Sequence, residues 1–296
     1  MSSGSTRKLR VNDDGPPGPE SPYIFGWYRH LTQDLGWDVK VVIPSTQKSW
    51  IGKAYHIQDI IKGRYYYPKG ADGQGETSPS PRSLREGEIG EWILLDATPA
   101  SCANIALHNL FPGEIDLVIS GPNFGRNTSS AFSLSSGTLG AALASSLSGF
   151  RSIALSYGIM IKNTPTTYHD PAFKLSSKIV NYLLGNWGPR ENKLLYSINI
   201  PMIEELLHDD EMKVYWTSVW KSDYGRLFKE EGSLVFAFQP DLSGLLSKTA
   251  APEGSDGWAL NVGAVSVTPY LTSFAELPED EHGFSCLQDR EWKFKL

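Results

Sequence analysis

Asp116-Leu117-Val118-Ile119-Ser120-Gly121-Pro122-Asn123-Phe124-Gly125-Arg126-Asn127, with Ser135-Ser136-Gly137-Thr138 soon after it, is the most informative stretch of the chain. Its first five residues form a short apolar run of strand length. Glycines and amides follow where such a strand would end. A helix then opens at Gly137, runs through Ala- and Leu-rich sequence to Leu147, and stops at Gly149. Glycines let backbone amides approach an oxyanion closely, and a helix N-terminus adds a favourable dipole. Strand, glycines, amides and helix start together point to anion binding. No Gly-Lys-Ser/Thr follows, which excludes a Walker P-loop.

The same rhythm extends in both directions. Upstream, Ser21 and Pro22 read as an N-cap and first helical residue. Ile24, Tyr28, Leu31 and Leu35 then recur at helical spacing, and Gly36 stands where a helix should stop. Val39-Lys40-Val41-Val42-Ile43, closed by Pro44, is a strand, and Thr98-Pro99 opens another helix through Ile105 and Leu110. Downstream come the strand Ile153-Ala154-Leu155, a helix over about 171–184, and a strand over 194–200. Alternating strands and helices predict an α/β fold: a mostly parallel sheet with right-handed crossovers, covered on both faces. In such sheets ligands collect at the carboxyl ends of the strands. Residues 69–90, rich in Gly, Pro, Ser and charge, read as an exposed loop. After about residue 205 the expected strands (214–220, 233–238 and 262–268) have little helix between them, which predicts hairpins or an antiparallel extension. The expectation is one domain over 9–275, with a core over about 9–200, a strand-rich extension over about 205–270, and a tail at 276–296. Thr6-Arg7-Lys8-Leu9-Arg10-Val11 is unusually charged for the centre of a parallel sheet, so that strand is either short or atypical.

Composition narrows the function. With 296 residues and 40% hydrophobic content the chain can build a sizeable core. Gly 28 plus Pro 19 makes 47 of 296, below the roughly 25–30% that marks low-complexity chains. Lys+Arg 27 against Asp+Glu 33 gives a net charge of -6, which argues against general nucleic-acid binding through phosphates. A small anion stays compatible with that charge, because a bound cation reverses the local field. Cys102 and Cys286 are too few for a disulfide framework and lack the spacing of a zinc site, and the six histidines include no HExxH. Residues 1–10 are polar, without the apolar segment of a secretory signal, and no run approaches the ~18 apolar residues of a membrane span. These features predict a cytoplasmic protein without membrane contact.

Asn12-Asp13-Asp14-Gly15 follows the first strand. At a strand end turning through Gly15, both carboxylates can aim into one crevice, and converging hard oxygens suit Mg²⁺ or Mn²⁺. Asp, Asn and Gly are also ordinary turn residues, so the motif alone leaves a solvated turn open. Ser49, beyond the second strand, has a hydroxyl that can complete a metal shell or bind phosphate, though a lone loop serine is ordinarily structural. Trp50, Phe124 and Tyr224 could stack on a base, while most of the nine tryptophans are expected in core or interface, as large apolar side chains usually are, so no base preference is read from them.

Taken together, Val11-Asn12-Asp13-Asp14-Gly15, Ser49-Trp50-Ile51-Gly52, Thr98-Pro99-Ala100-Ser101-Cys102, the Ser120 to Asn127 loop and Ser136-Gly137-Thr138-Leu139-Gly140-Ala141-Ala142 resemble the SurE family of metal-dependent nucleotidases and phosphatases. Ser197-Ile198-Asn199-Ile200-Pro201 and Val265-Ser266-Val267-Thr268-Pro269, after Asp256, extend the match. The Gly15-Pro16-Pro17 and Ser49-Trp50-Ile51-Gly52 versions look most like the fungal branch, which includes acid phosphatases. The resemblance implies a Rossmann-like SurE fold and a divalent cation, Mg²⁺ or Mn²⁺. It also implies hydrolysis of phosphomonoesters, with nucleoside monophosphates the usual substrates, in a homodimer or higher homo-oligomer. By position Asp13, Asp14, Ser49 and Asn123 match the metal ligands, with Asp13 and Asp14 also catalytic. Gly125, Asn127, Ser136, Gly137 and Thr138 match the phosphate neighbourhood. Lys8, Arg10, Ala97 and Ala144-Ser145 depart from the family pattern, none of them in the proposed metal shell.

Other readings fit less. A covalent aspartyl phosphatase shows an Asp-x-Asp spacing, whereas Asp13 and Asp14 are adjacent. A response-regulator receiver needs only about 120 residues and leaves the asparagine loop unexplained. NAD binding lacks GxGxxG after the first strand. The rival of another class is a non-catalytic nucleotide- or phosphate-binding scaffold that keeps the fold. The full set Asp13, Asp14, Ser49 and Asn123 favours the enzyme.

Overall fold

Strand β1 (Arg7–Val11) lies at the middle of a ten-stranded sheet, flanked by β2 (Asp38–Pro44) on one side and β6 (Leu117–Phe124) on the other, parallel to both. Its charge did not exclude it from the centre; the strand is only five residues long. The computed structural model describes the backbone of residues 7–11 and residues 14–160, 164–187, 194–208, 212–246 and 249–274. Asp13, Cys286 and the 276–296 tail lie outside the described residues.

Between β2 and β6 come β3 (Gly63–Tyr67), β4 (Glu76–Ser78) and β5 (Trp92–Leu95), which build the sheet outward in the order β2-β5-β3-β4. On the other side stand β7 (Arg151–Ile159) and β8 (Leu194–Met202), parallel to β6. The chain therefore reverses its direction of growth at β1, and the crevice between β1 and β6 is the topological switch point where ligands bind in such sheets.

Helix α1 (Ile24–Arg29) runs on as a π-helical turn to Asp34 and packs Trp27 and Tyr28 into the larger core, together with Phe173 of α5 (His169–Gly185). Ser21 does not cap α1. Its N–H closes a tight turn onto the Gly18 carbonyl (3.0 Å), and the helix starts at Ile24, with Tyr23 at the N-cap position. Helix α2 (Pro99–Ile105) has the cap expected of Thr98, whose hydroxyl accepts the Ser101 N–H (3.2 Å). Helices α3 (Ser129–Ser135) and α4 (Gly137–Leu147) follow β6; α2, with its π-helical continuation Ala106–Leu110, and α4 cover the opposite face through Ala103, Leu107 and Ala141.

Strand β6 is longer than its apolar run. The ladder with β7 shifts between Ser120 and Asn123 and then resumes, pairing Asn123 with Ser156 and Phe124 with Tyr157. Gly121 at φ +117° makes this bulge; a Cβ there would collide with the Leu155 carbonyl oxygen. Glycine and proline mark loops in sequence, but here the backbone returns to the sheet.

Strands β9 (Val214–Trp216) and β12 (Val265–Leu271) complete the far side of the same sheet, β12 antiparallel to β8 and β9 parallel to β12. The strand expected over 214–220 ends at Trp216 because the Trp220 N–H turns to the buried Asp256 carboxylate (3.0 Å). Strands β10 (Phe228–Gly232) and β11 (Val235–Phe238) form a separate exposed hairpin, followed by α6 (Ser243–Leu246) and α7 (Asp256–Asn261).

The segment 69–90, expected as an exposed loop, is organised by side chains. Glu76–Ser78 pairs with β3, and Arg82 lies 3.7 Å over the Tyr67 ring. The Arg82 guanidinium donates twice to buried Glu88 (2.7 Å each), which also accepts the Arg85 N–H. These bonds hold the Glu88 carboxyl at about 2, below its ordinary 4.5. A depressed carboxylate contributes stability that is complete above 4.5 and lost as pH falls through about 2. Urea unfolding between pH 5 and pH 2 should therefore show a steeper loss of stability in the native chain than in Arg82→Met. Equal slopes in the two proteins would refute this role for the pair.

Candidate functional site

The turn after β1 places Asp14 at the switch point. Gly15, at φ +81°, has the Thr46 backbone within 3.3 Å of any Cβ, so the turn admits little but glycine. Asp14 is buried, and its Oδ2 accepts the backbone N–H of Phe124 (2.9 Å), 110 residues away. That bond joins the acidic turn directly to the β6 loop. Beneath it, burial first and the Asp14 charge second push the Tyr23 hydroxyl up to about 12.

Asn123 is held by its own loop. Its Nδ2 donates to the Gly125 carbonyl (2.7 Å), leaving Oδ1 as the acceptor. Gly125, at φ +130°, donates its N–H to the Tyr157 carbonyl (3.0 Å). Asn127 is tied on two sides: its N–H to Asn199 Oδ1 (2.8 Å) and its Nδ2 to Ser156 Oγ (2.9 Å). Ser136 caps α4 by accepting the Leu139 N–H (3.1 Å), which keeps its hydroxyl proton available to an anion.

Ser49 comes from the loop after β2. That loop is lashed to the start of α4: the Gly52 N–H donates to the Ser135 carbonyl (2.8 Å), and Gly140 of α4 packs against the Gly52 and Lys53 backbone. Trp50, a non-glycine residue at φ +62°, is clamped in that strained conformation by Phe132, Tyr224 and Phe238, with ring centroids 6.0, 6.1 and 5.2 Å away.

Ser49, Asn123, Gly125, Asn127 and Ser136 line one cleft of about 250 Å³, with Asp14 adjoining it through Phe124. Gly137 and Thr138 lie buried behind Ser136 in the first turn of α4 and do not line it. Trp50 and Phe124, which the sequence offers as aromatic residues able to stack on a base, line the cleft, and Phe124 is 41% exposed. Phe132, Ile159, Leu242 and Leu246 complete the wall. Sequence reasoning passed over these four, since no local pattern separates a cleft-lining apolar residue from a core one.

Asp256 carries no role at the cleft surface. It is buried and accepts N–H bonds from Ser129 (2.8 Å), Trp220 (3.0 Å) and Gly257 (2.7 Å). Burial still raises its pKa against those bonds. Its place is to tie the start of α3 to the C-terminal segment.

Among the described residues, no group of three or more His, Cys, Asp or Glu side chains is placed to hold a metal ion. A cation at the switch point would rely on a carboxylate, a hydroxyl and an amide oxygen. Asp14, Ser49 and the Oδ1 of Asn123 fit that hard-oxygen set.

The chain matches the family model described as "Survival protein SurE" over residues 9–226. It is 39% identical over 244 residues to a Saccharomyces cerevisiae protein named "Probable tubulin--tyrosine ligase PBY1", covering 75% of this chain and 32% of that one. It is 31% identical over 173 residues to "5'-nucleotidase SurE" of Campylobacter hominis, covering 58% of this chain and 65% of that protein. The chain thus spans about a third of the yeast relative and just under two thirds of the bacterial one. The crystal structure of the SurE protein from Aquifex aeolicus superposes with a TM-score of 0.65 at 23% identity, over 93% of this chain and 97% of that one.

Proposed function

The chain belongs to the SurE family, and from that membership and the cleft's geometry we propose that it is a metal-dependent phosphomonoester hydrolase acting on nucleoside monophosphates. The observation that carries the reading is the Asp14 to Phe124 hydrogen bond, which brings the acidic turn and the asparagine loop to one sheet edge. Asp13, Asp14, Ser49 and Asn123 would hold Mg²⁺ or Mn²⁺. Such a cation, when bound, supplies Lewis-acid polarisation of a phosphoryl oxygen and a water of lowered pKa.

The remaining work falls to the chain itself. Ser136 and the start of α4 offer a hydroxyl and a helix dipole to the phosphoryl oxygens, stabilising charge that grows during transfer. Gly125 lets the loop backbone approach without a side chain in the way. Asn127, anchored to Ser156 and Asn199, fixes the loop's far end. Asp13 or Asp14 assists by accepting a proton as water attacks in line.

The test is phosphate release from AMP and p-nitrophenyl phosphate with and without Mn²⁺. Hydrolysis that requires the ion supports the proposal. Ion-independent hydrolysis counts against the mechanism, and no hydrolysis across a panel of monoesters would favour a binding module on the same fold.

A further inference from the structure

The cleft's lining is of two kinds. Ser49, Asn123, Asn127 and Ser136 are polar, whereas Trp50, Phe124, Phe132, Ile159, Leu242 and Leu246 are apolar. The Trp50 and Phe132 rings adjoin each other, and Phe132 and Leu242 pack in one cluster. Apart from the Trp50 indole N–H, these side chains offer no hydrogen-bond partner. A polyol without a ring would lose its hydration against them with little compensation, whereas a leaving group carrying a flat apolar ring would gain contact.

Arg126 also lines the cleft, the one Lys or Arg among the described residues to do so. In a phosphate loop it invites assignment to the phosphate, but its hydrogen bonds run the other way. One terminal nitrogen donates to Asn261 Oδ1 (3.1 Å) and the other to the Leu245 carbonyl (3.0 Å), 119 residues away. Helix α6, which carries Leu245 and Leu246, is four residues long and too short to hold itself. It is fixed by burial of Leu245 beside Trp220 and Ala251 and by this guanidinium. Leu242 just before it and Leu246 at its end form the outer wall.

Resting on the hydrolase reading above, we propose that this apolar part of the lining is a leaving-group subsite selecting flat aromatic monoesters over polyol phosphates. Arg126 is a positioning residue that holds its α6 wall in place. Leu246, 52% exposed, can be changed with little risk to folding.

The experiment compares kcat and KM for 1-naphthyl phosphate and glycerol 2-phosphate, with Mn²⁺, in the full chain and in Leu246→Ser, Arg126→Met and Arg126→Lys. Naphthol is intrinsically a better leaving group than an alkyl alcohol, so the contact is read as the ratio of the two KM values, which should favour the naphthyl ester by about tenfold or more in the native protein. Leu246→Ser and Arg126→Met should each cut that ratio about fivefold. Arg126→Lys, which keeps one donor for the Leu245 carbonyl, should recover part of it. A native ratio near one, or an Arg126→Met that weakens both substrates equally, would overturn the proposal. If Arg126→Met does not fold, Leu246→Ser alone decides. If neither ester is hydrolysed, the hydrolase reading fails, and calorimetric binding of the two esters still judges the subsite. Tighter naphthyl binding that Leu246→Ser abolishes would support it, and equal binding would refute it.

Discussion

Asp14→Asn should lower Mn²⁺-dependent hydrolysis of p-nitrophenyl phosphate by about a thousandfold, on the scale of losing a principal electrostatic group at a metal-assisted site. Asparagine has the size of aspartate, and its Oδ1 can still accept the Phe124 N–H now held at 2.9 Å. The turn and the β6 loop should therefore stay joined, with the thermal midpoint within a few degrees of the native value. What disappears is one negative charge at the switch point and one strong oxygen donor. Calorimetric titration with Mn²⁺ should show weakened binding in parallel with the lost rate. Retention of more than a tenth of the native rate would show that Asp14 only supports the loop.

Gly140→Ala should also have a large effect, in the direction opposite to helix propensity. Alanine in a helix interior is ordinarily favoured over glycine by about 1 kcal/mol. At Gly140, however, an added methyl would lie 2.7 Å from the Gly52 carbonyl carbon and 3.0 Å from the Lys53 Cα, and it would collide with the Gly52 oxygen. These are backbone atoms and cannot rotate away. Overpacking of this kind costs roughly 2–3 kcal/mol, which corresponds to a fall in melting temperature on the order of 5–10 °C. The displaced segment is the one that carries Ser49, so metal-dependent activity should fall with stability. Gly185→Ala is the matched comparison: nothing lies within 4 Å of a Cβ there, at the exposed end of α5, and the change should be neutral or mildly stabilising. A melting temperature raised by Gly140→Ala would mean that the loop and helix are not in contact in solution.

Much of the site was legible in sequence because its signals are local. The helix start at Gly137, the glycine after Asn123-Phe124 and the Thr98-Pro99 helix start each depend on residues within a few positions, and the structure has them as read. Ser49 carried no such signal and was placed by resemblance. Other misreadings have equally local causes. Ser21 looked like a cap because serine before proline usually is one, but Ser21 sits in a tight turn with Gly18 and the helix begins only at Ile24, after Tyr23. The segment 69–90 looked loose because its order comes from Arg82, Glu88 and Tyr67 meeting through side chains, with no apolar periodicity to show it.

The amino-acid order alone fixes which segments become strands and helices in the parallel core, and that glycine- and amide-rich loops emerge at their carboxyl ends, because short-range sterics, capping and periodicity are properties of neighbouring residues. Three-dimensional packing settles the rest. It extends β6 through its bulge to Phe124, inserts β12 beside β8, ties Arg126 to α6, and gathers Trp50, Phe132, Tyr224 and Phe238 into one clamp. Those outcomes depend on contacts between segments up to 188 residues apart, whose energies exist only once the chain has closed on itself.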